Sequence, residues 1–184
     1  MNYQHLTTSD YRTMPWANGL GQTVEMVRRN DNEGNLLWRL SMATVTGNGA
    51  FSLFPGIERN LTVLSGDGFE LLENDSGIVH RVALLTPVAF AGDIPVTATR
   101  VTAPCQDFNV MTGRGLPKPA VWVIHEASLL TINENEQLAL FALSPVTIQT
   151  VERNFILKAH ELLFCQEPVE LLEGSLICVA LVVT

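Results

Sequence analysis

Short strand-like runs separated by turn residues constrain the fold of this chain more than any other feature of its sequence. In the clearest example, Leu-Thr-Val-Leu at 61–64 is followed by Ser-Gly-Asp-Gly at 65–68 and by Phe-Glu-Leu-Leu at 69–72. β-branched and aromatic residues favour strands, and a glycine-containing turn joins neighbouring antiparallel strands. The number and spacing of such runs predict an all-β sandwich or barrel. The runs are 23–27, 36–43, 61–64, 69–72, 78–85, 96–101, 121–124, 138–143, 146–151, 155–157, 161–165, 169–172 and 176–183.

Composition and charge exclude several classes of protein. Of the 184 residues, 47% are hydrophobic and 16% are charged, which supplies ample core material and gives no sign of disorder. The net charge of -8 argues against a nucleic-acid backbone or an anionic membrane surface as a partner. The first residues lack the basic and apolar segments of a signal peptide, and the apolar run 176–183 is too short to cross a bilayer. We therefore expect a cytoplasmic protein.

A weak internal similarity predicts that the chain is duplicated. Residues 88–96 resemble residues 162–169, and glycine and proline cluster between them at 113–119, as in a connecting loop. We therefore expect two β-barrel halves, residues 1–115 and 116–184, packed as one compact unit. The second half contains few candidate site residues, so its expected role is structural.

Strand alternation groups the polar side chains that could form a site. Side chains two residues apart point to the same face of a strand, so Arg39 lies with Ser41, and Asp107 lies with Asn109 and Met111. In the same way Thr23 shares a face with Glu25.

The two arginines in this part of the chain allow two interpretations. If Arg39 and Arg59 point into a barrel, each needs a carboxylate partner, which could be Glu25, Asp107 or a bound acid. In the alternative, both lie at the rim and form structural salt bridges with Glu25 or Glu58. The sequence leaves both open.

Signatures of metal or covalent chemistry are weak. The four histidines are scattered without ligand spacing, the Gly-x-Gly pairs at 19–21 and 47–49 lack a third glycine, and no Gly-x-Ser-x-Gly motif occurs. We therefore expect no metal, no cofactor and no catalytic residue. The alternative is a cupin enzyme, either an oxygenase or an isomerase that uses His80 with an acidic neighbour.

Five motifs, in this order along the chain, resemble those of the HutD/Ves family, a group of bacterial proteins. They cover the first two thirds of the chain, whereas the last third matches only by its general β pattern. The motifs are Trp16-x-Asn18-x-x-Gly21-x-Thr23-x-Glu25, Trp38-Arg39-x-Ser41, Gly49-x-Phe51-Ser52-x-Phe54-Pro55-Gly56-x-x-Arg59, Pro87-x-x-Phe90-Ala91 and Asp107-Phe108-Asn109-x-Met111.

The resemblance implies a cupin-type (RmlC-like) antiparallel β-barrel fold, with two packed barrels in a bicupin arrangement. Metal-binding cupins carry His-x-His, a glutamate and a closing glycine in the segment that here ends at Gly66. With that alignment the glutamate position falls on Arg59, and the histidine positions fall on Ser52 and Phe54 or on Leu53 and Pro55. The resemblance therefore implies a barrel without a metal, whose positive side chain favours an anionic ligand.

The function implied is the binding of a small carboxylate in a regulatory or stress-related role. In the HutD branch the ligand would be an intermediate of histidine utilisation such as formylglutamate or urocanate. Cupins often pair through edge strands, which also suggests a homodimer. Arg114 departs from the family pattern, in which the arginine stands where Gly113 does, and we assign it no ligand role. The predicted ligand-binding residues are Trp16, Asn18, Thr23, Glu25, Arg39, Trp38, Ser52, Arg59, Phe108, Asn109 and Met111.

Overall fold

The computed structural model describes residues 3–16 and 22–182, and its regular structure is almost entirely β. The chain divides into two compact units, Tyr11–Lys118 and Met1–Asp10 with Pro119–Thr184. The prediction of an all-β protein is confirmed. The helical element in the described ranges is the single 3-10 turn Thr8–Asp10, so no helix there is long enough to span a membrane.

The first unit, Tyr11–Lys118, contains two antiparallel sheets. Among the described residues the ladders of these two sheets remain separate and do not close into one barrel, whereas the sequence predicted a closed barrel. The six-stranded sheet has the order β2 (Arg12–Pro15), β3 (Gln22–Asn30), β4 (Leu36–Val45), β11 (Cys105–Gly113), β6 (Ile57–Ser65) and β9 (Val88–Ala91). The four-stranded sheet has the order β5 (Gly49–Ala50), β10 (Val96–Thr99), β7 (Phe69–Glu73) and β8 (Val79–Val82).

The second unit also contains two sheets. Its N-terminal strand pairs with a strand far along the chain, with Tyr3 opposite Cys165, which attaches the first ten residues to this unit. The five-stranded sheet has the order β1 (Tyr3–Leu6), β17 (Leu162–Cys165), β14 (Glu136–Ala142), β19 (Leu176–Val182) and β12 (Ala120–Ile124). The four-stranded sheet has the order β13 (Ser128–Leu130), β18 (Val169–Glu173), β15 (Val146–Gln149) and β16 (Asn154–Leu157).

The strand order of one unit repeats in the other. β4-β11-β6-β9 corresponds to β12-β19-β14-β17, and β5-β10-β7-β8 corresponds to β13-β18-β15-β16, each strand being the eighth after its counterpart. The two similar sequence segments fall on this repeat, since Phe90 lies in β9 and Phe164 lies in β17. The internal similarity therefore marks a repeated topology.

The core of the first unit explains how polar side chains come to face its interior. Leu61 and Val63 on β6 are fully buried in this core. Arg59 stands two residues before Leu61, so strand alternation directs it to the same face. The turn after β6 requires glycine at Gly66, which has φ +95°, and a Cβ there would lie 2.7 Å from Cys105 Sγ. At this turn the chain passes close to Cys105, the first residue of β11, which pairs with β6 and carries Asp107 and Asn109.

Candidate functional site

A cavity of about 490 Å³ opens in the first unit. One wall comes from strands β4, β6 and β11, and the opposite wall comes from the segment 46–54, which includes the short strand β5. Cavities of this volume hold small organic molecules. The lining residues are Trp16, Thr23, Arg39, Ser41, Ala43, Val45, Thr46, Gly47, Asn48, Gly49, Ala50, Phe51, Ser52, Phe54, Arg59, Asp107, Asn109 and Met111.

The register of the central strand places two arginines on either side of it. Met111 on β11 is opposite Arg39 on β4 and opposite Arg59 on β6. Two positions further back, Asn109 is opposite Ser41 and Leu61. Because neighbouring strands lie roughly 5 Å apart, the two arginines arise about two strand spacings from each other on one face of the sheet.

Arg59 is the buried cation of this cavity. Its residue is only 8% exposed, and its Nη2 donates a hydrogen bond to Asn109 Oδ1 at 2.9 Å. The Asn109 amide in turn donates to Asp107 Oδ1, so the amide bridges the cation to the carboxyl group. Arg59 Nε has no hydrogen-bond partner among the described residues. A buried guanidinium with an unsatisfied donor is costly, and such groups in native proteins call for a specific explanation.

Three phenylalanine rings surround the same guanidinium. Arg59 Cζ lies 5.2 Å from the ring centroid of Phe51, 5.3 Å from that of Phe54 and 4.9 Å from that of Phe90. Each distance is within the range of a cation–π contact. Phe90 is the cross-strand partner of Arg59, whereas Phe51 and Phe54 come from the opposite wall. The rings replace water around the charge and fix its position.

Burial shifts the ionisation of both charged groups that Asn109 bridges. Burial lowers the pKa of Arg59 to about 10, a shift that Asp107 opposes and Arg39 reinforces. Burial also raises the pKa of Asp107 from 3.8 to about 7, although the charge of Arg59 and the Asn109 hydrogen bond act in the opposite direction. At neutral pH Arg59 therefore stays charged, while Asp107 lies near the midpoint of its titration.

Arg39 is compensated by a partner within the sheet. Its Nε donates to Glu25 Oε2 at 2.6 Å, and its Nη1 approaches Met111 Sδ at 3.7 Å. Of the two interpretations of the arginines, Arg39 therefore combines both, since it lines the cavity and forms a structural ion pair. Arg59 forms no such pair with Glu58, whose carboxylate binds Arg114 and Lys118.

The structure brings together most, but not all, of the residues predicted from the sequence. Glu25 does not line the cavity and contributes by holding Arg39. Trp38 and Phe108 are buried and absent from the lining, since strand alternation turns each away from the face of its neighbour. Asn18 lies outside the described residues. The predicted residues that line the cavity are Trp16, Thr23, Arg39, Ser52, Arg59, Asn109 and Met111.

Four residues that line the cavity are not among the ligand-binding residues predicted from the sequence: Ser41, Phe51, Phe54 and Asp107. Strand alternation places Asp107 on the same face as Asn109, and Ser41 on the same face as Arg39. The sequence therefore contains enough information to assign Asp107 and Ser41 to the site. Phe51 and Phe54 lie in a segment outside the long strands, where alternation gives no direction.

The residues at the cupin metal positions do not fit a metal ion. Ser52, Phe54 and Arg59 all line the cavity, and they offer a hydroxyl, a ring and a cation where a divalent ion needs imidazole or carboxylate ligands. Across residues 3–16 and 22–182, no three His, Cys, Asp or Glu side chains cluster closely enough to hold a metal. His80 binds Glu73 Oε1 at 2.7 Å, and neither residue lines the cavity.

Comparison with known proteins identifies the family. The family model described as HutD matches residues 8–176. The chain belongs to the HutD family. Protein Ves from Citrobacter koseri is 41% identical over 118 residues, which cover 62% of this chain and 61% of that protein. The match to this curated relative thus spans less than two thirds of its length.

Solved structures show the fold of this HutD-family protein to be cupin-like. A conserved protein of unknown function from Pseudomonas aeruginosa has a TM-score of 0.85 at 27% identity, covering 100% of both chains. HutD from Pseudomonas fluorescens has a TM-score of 0.83 at 23% identity, covering 98% of both chains. A bacterial pirin from Escherichia coli, in complex with nickel(II), has a TM-score of 0.67 at 10% identity, covering 99% of this chain and 100% of that chain. The last two likenesses concern the fold alone.

Proposed function

We propose that this HutD-family protein binds a small organic carboxylate in the cavity of its first unit and acts through binding, without catalysis. The observation that carries the proposal is the environment of Arg59. Its guanidinium is buried, surrounded by three aromatic rings and connected to Asp107 only through an amide. A planar cation at the wall of a cavity is well suited to hold a carboxylate.

The rest of the cavity supports a ligand that also has an apolar or planar part. Phe51, Phe54 and Trp16 contribute aromatic surface, while Ser52 and Asn48 add groups that can form hydrogen bonds. Binding sites of this kind combine apolar walls with a few polar groups that fix orientation. Membership in the HutD family makes intermediates of histidine degradation, such as formylglutamate or urocanate, the first ligands to test. Because the chain is also similar to Protein Ves, the alternative is that the same binding activity serves a stress-related role.

Calorimetry with formylglutamate, urocanate and glutamate tests the proposal. We expect at least one of these acids to bind wild-type protein. We expect Arg59→Ala to weaken that binding about 100-fold or more, since it removes a charge-assisted contact in a desolvated site. Absence of binding by all three acids, or equal affinity in the variant, would contradict the proposal.

Two further variants separate the loss of a ligand contact from a general loss of charge or fold. Arg81→Ala removes one positive charge from the exposed side of β8, outside the cavity, and should leave the affinity unchanged. Arg59→Met keeps an unbranched apolar stem and removes the guanidinium group, and we expect a folded protein that does not bind the acid. Equal weakening by Arg81→Ala and Arg59→Met would indicate a nonspecific charge effect.

A second candidate, a metal-free isomerase, is favoured by one observation. Asp107 lies in the cavity next to a cation, and its pKa of about 7 suits a general base at neutral pH. Incubation of a bound acid in D₂O, followed by NMR, distinguishes the candidates. Exchange of a carbon-bound proton that is lost in Asp107→Asn would favour the enzyme, and no exchange would favour the binding protein.

The proposal includes a bicupin arrangement of two cupin-type barrels, a cytoplasmic location and a homodimer. The repeated strand order and the cupin-like neighbours support the first. Light scattering on purified protein tests the dimer, since a mass near 20.2 kDa would indicate a monomer instead.

A further inference from the structure

Asp107 is the acidic residue among the described residues that line the cavity. It is 1% exposed, and one of its carboxyl oxygens accepts a hydrogen bond from the Asn109 amide. It lies on the same strand face as Met111, which stands between the two arginines. Asp107 is thus the carboxyl group that an anion entering this cavity would meet beside Arg59.

The charged groups around Asp107 come from three neighbouring strands. They are Arg59 on β6, Arg39 on β4, and Glu25 on β3, which binds Arg39. On β11 itself, Cys105 is buried and its thiol contacts Gly68 O at 3.6 Å. The opposite wall, 46–54, has no ionisable side chain. Since Glu25 and Arg39 cancel, the net charge of the site depends on Arg59 and Asp107.

These two groups give the cavity two charge states. With Asp107 ionised the site is neutral overall, and with Asp107 protonated it carries one positive charge. An anion beside Arg59 disfavours a second buried negative charge, as like charges in a shared site do. Burial already raises the pKa of Asp107 to about 7, so the added cost of protonation near neutral pH is small.

We propose that Asp107 takes up one proton from solvent when a carboxylate binds beside Arg59, so that the site selects monoanions. This inference rests on the proposed function and deepens it. The protonated carboxyl group offers the ligand an O–H donor, while the charge of Arg59 matches a single negative charge. A dianion would leave one buried charge uncompensated, which strongly disfavours binding. Of the acids proposed above, the monoanion urocanate should therefore bind in preference to formylglutamate, which has two carboxylates.

A matched pair of probes tests the selectivity. 3-Carbamoylbenzoate and isophthalate have nearly the same shape and an aromatic ring for the phenylalanine walls, but they carry one and two negative charges. We expect isophthalate to bind about tenfold or more weakly at neutral pH, since an uncompensated buried charge costs more than 1.4 kcal/mol, or about tenfold in affinity. Equal affinities would overturn the selection of monoanions.

Calorimetry in two buffers that differ in ionisation enthalpy measures the proton directly on wild-type protein, with Tris and HEPES at about pH 8 and Bis-Tris and MES at about pH 6. We expect the protein to take up nearly one proton per 3-carbamoylbenzoate bound at about pH 8. At about pH 6 we expect far less uptake, because Asp107 is already protonated there. The affinity should fall about tenfold per pH unit above about 7. Binding without proton uptake at either pH would overturn the inference and leave the proposed function standing.

Asp107→Asn mimics the protonated carboxyl group and supplies the second arm. We expect its affinity for 3-carbamoylbenzoate at about pH 8 to rise to the value at about pH 6, with no proton uptake. A variant that still takes up a proton would place the titrating group elsewhere. If the variant does not fold, the two-buffer experiment on wild-type protein still decides. If neither probe binds wild-type protein although formylglutamate, urocanate or glutamate does, the inference is overturned and the proposed function stands. If none of the five acids binds, the proposed function itself is contradicted.

Discussion

The two units of this HutD-family protein share one strand order and differ in what their sheets enclose. In the second unit the central strand β14 directs Leu138 and Leu140 into a core that also contains Leu176 and Cys178. In the first unit the corresponding strand β6 directs Arg59 to the same kind of position. One topology therefore supports both an apolar core and a polar cavity. In the first unit the polar side chains of β4, β6 and β11 form the cavity.

Charged side chains buried in the first unit cost free energy unless they have partners. Buried charges need partners, and the first unit supplies them within the same face: Glu25 for Arg39, and Asn109 with Asp107 for Arg59. The second unit buries Glu161 with His5 at 2.8 Å, close to its N-terminal strand. A polar interior that does not serve stability is expected at a functional site.

Moving the charge to the second unit should have the largest effect. Leu140→Arg places a cation in an apolar core without a carboxylate partner, and we expect a loss of about 4 kcal/mol or more of unfolding free energy. Leu129→Arg is the matched control, since Leu129 is 69% exposed and should change stability by less than about 0.5 kcal/mol. Urea unfolding of both variants checks this. Equal stabilities would mean that the second unit tolerates a buried charge as well as the first.

The pH dependence of stability should distinguish the buried acid of the first unit from surface acids. Because the pKa of Asp107 is raised from 3.8 to about 7, the folded state binds its proton more tightly than the unfolded state. The contribution of Asp107 to the free energy of unfolding is fully present below pH 3.8 and is lost as the pH rises through about 7. Relative to Asp107→Asn, wild-type protein should lose up to about 1.4 kcal/mol per pH unit across this window.

Asp93 provides a control of opposite sign. Its hydrogen bonds with Arg114 lower the pKa of this carboxyl group, so its contribution is present at neutral pH and is lost as the pH falls below its ordinary value. Urea unfolding at a series of pH values should therefore give opposite slopes for Asp107→Asn and Asp93→Asn relative to wild type. Parallel curves for wild type and Asp107→Asn would contradict the assigned burial of this acid.

A glycine found only in the first unit should have an intermediate effect. Gly92 N donates to Ile57 O at 2.7 Å and Gly92 O accepts from Phe54 N at 2.7 Å, which ties the wall carrying Phe54 to the sheet. A Cβ at this position would lie 2.8 Å from Ile57 O. We expect Gly92→Ala to cost about 1–3 kcal/mol and to weaken acid binding.

The control for this variant is Gly115→Ala, because a Cβ there meets no atom within 4 Å. Thermal unfolding and calorimetry of the two proteins provide the comparison. The corresponding turn of the second unit, between β17 and β18, has Gln166 and Glu167 and no glycine. Unchanged stability and binding in Gly92→Ala would show that the wall is not held through this contact.

The smallest effect is expected at Arg114, on the surface of the first unit. Its side chain is 45% exposed and binds Asp93 and Glu58, and exposed ion pairs of this kind contribute little and are screened by salt. Arg114→Ala should lower the melting temperature slightly at low salt and leave acid binding unchanged. A loss of affinity comparable to that of Arg59→Ala would extend the ligand site to this residue.

Local pattern predicted the strands and much of the sheet wall of the cavity. The run 61–64 lies in β6, the run 69–72 lies in β7, and the run 176–183 covers β19, Leu176–Val182. Alternation also placed Asn109 and Met111 on one face, where the structure has them. The same alternation turns Trp38 and Phe108, two predicted ligand-binding residues, away from the cavity, because each is adjacent in sequence to a residue that lines it.

Long-range pairing is what the sequence did not provide. Phe90 reaches Arg59 through the register of β9 against β6, and β1 joins the second unit through the pairing of Tyr3 with Cys165. Phe51 belongs to a segment whose direction depends on hydrogen bonds such as Phe51 N to Val96 O at 2.9 Å. Single-sequence patterns encode neighbours two residues apart, not partners 30 or more residues away.

The central claim is that the first unit holds Arg59 in its interior to bind a carboxylate. NMR of the arginine side chains, observed through their ¹⁵N-labelled guanidinium groups during titration with 3-carbamoylbenzoate, tests it most directly. We predict that the Arg59 signals move and saturate with the ligand, while those of Arg81 and Arg114 stay in place. Saturable binding that leaves the Arg59 signals unchanged would contradict the claim.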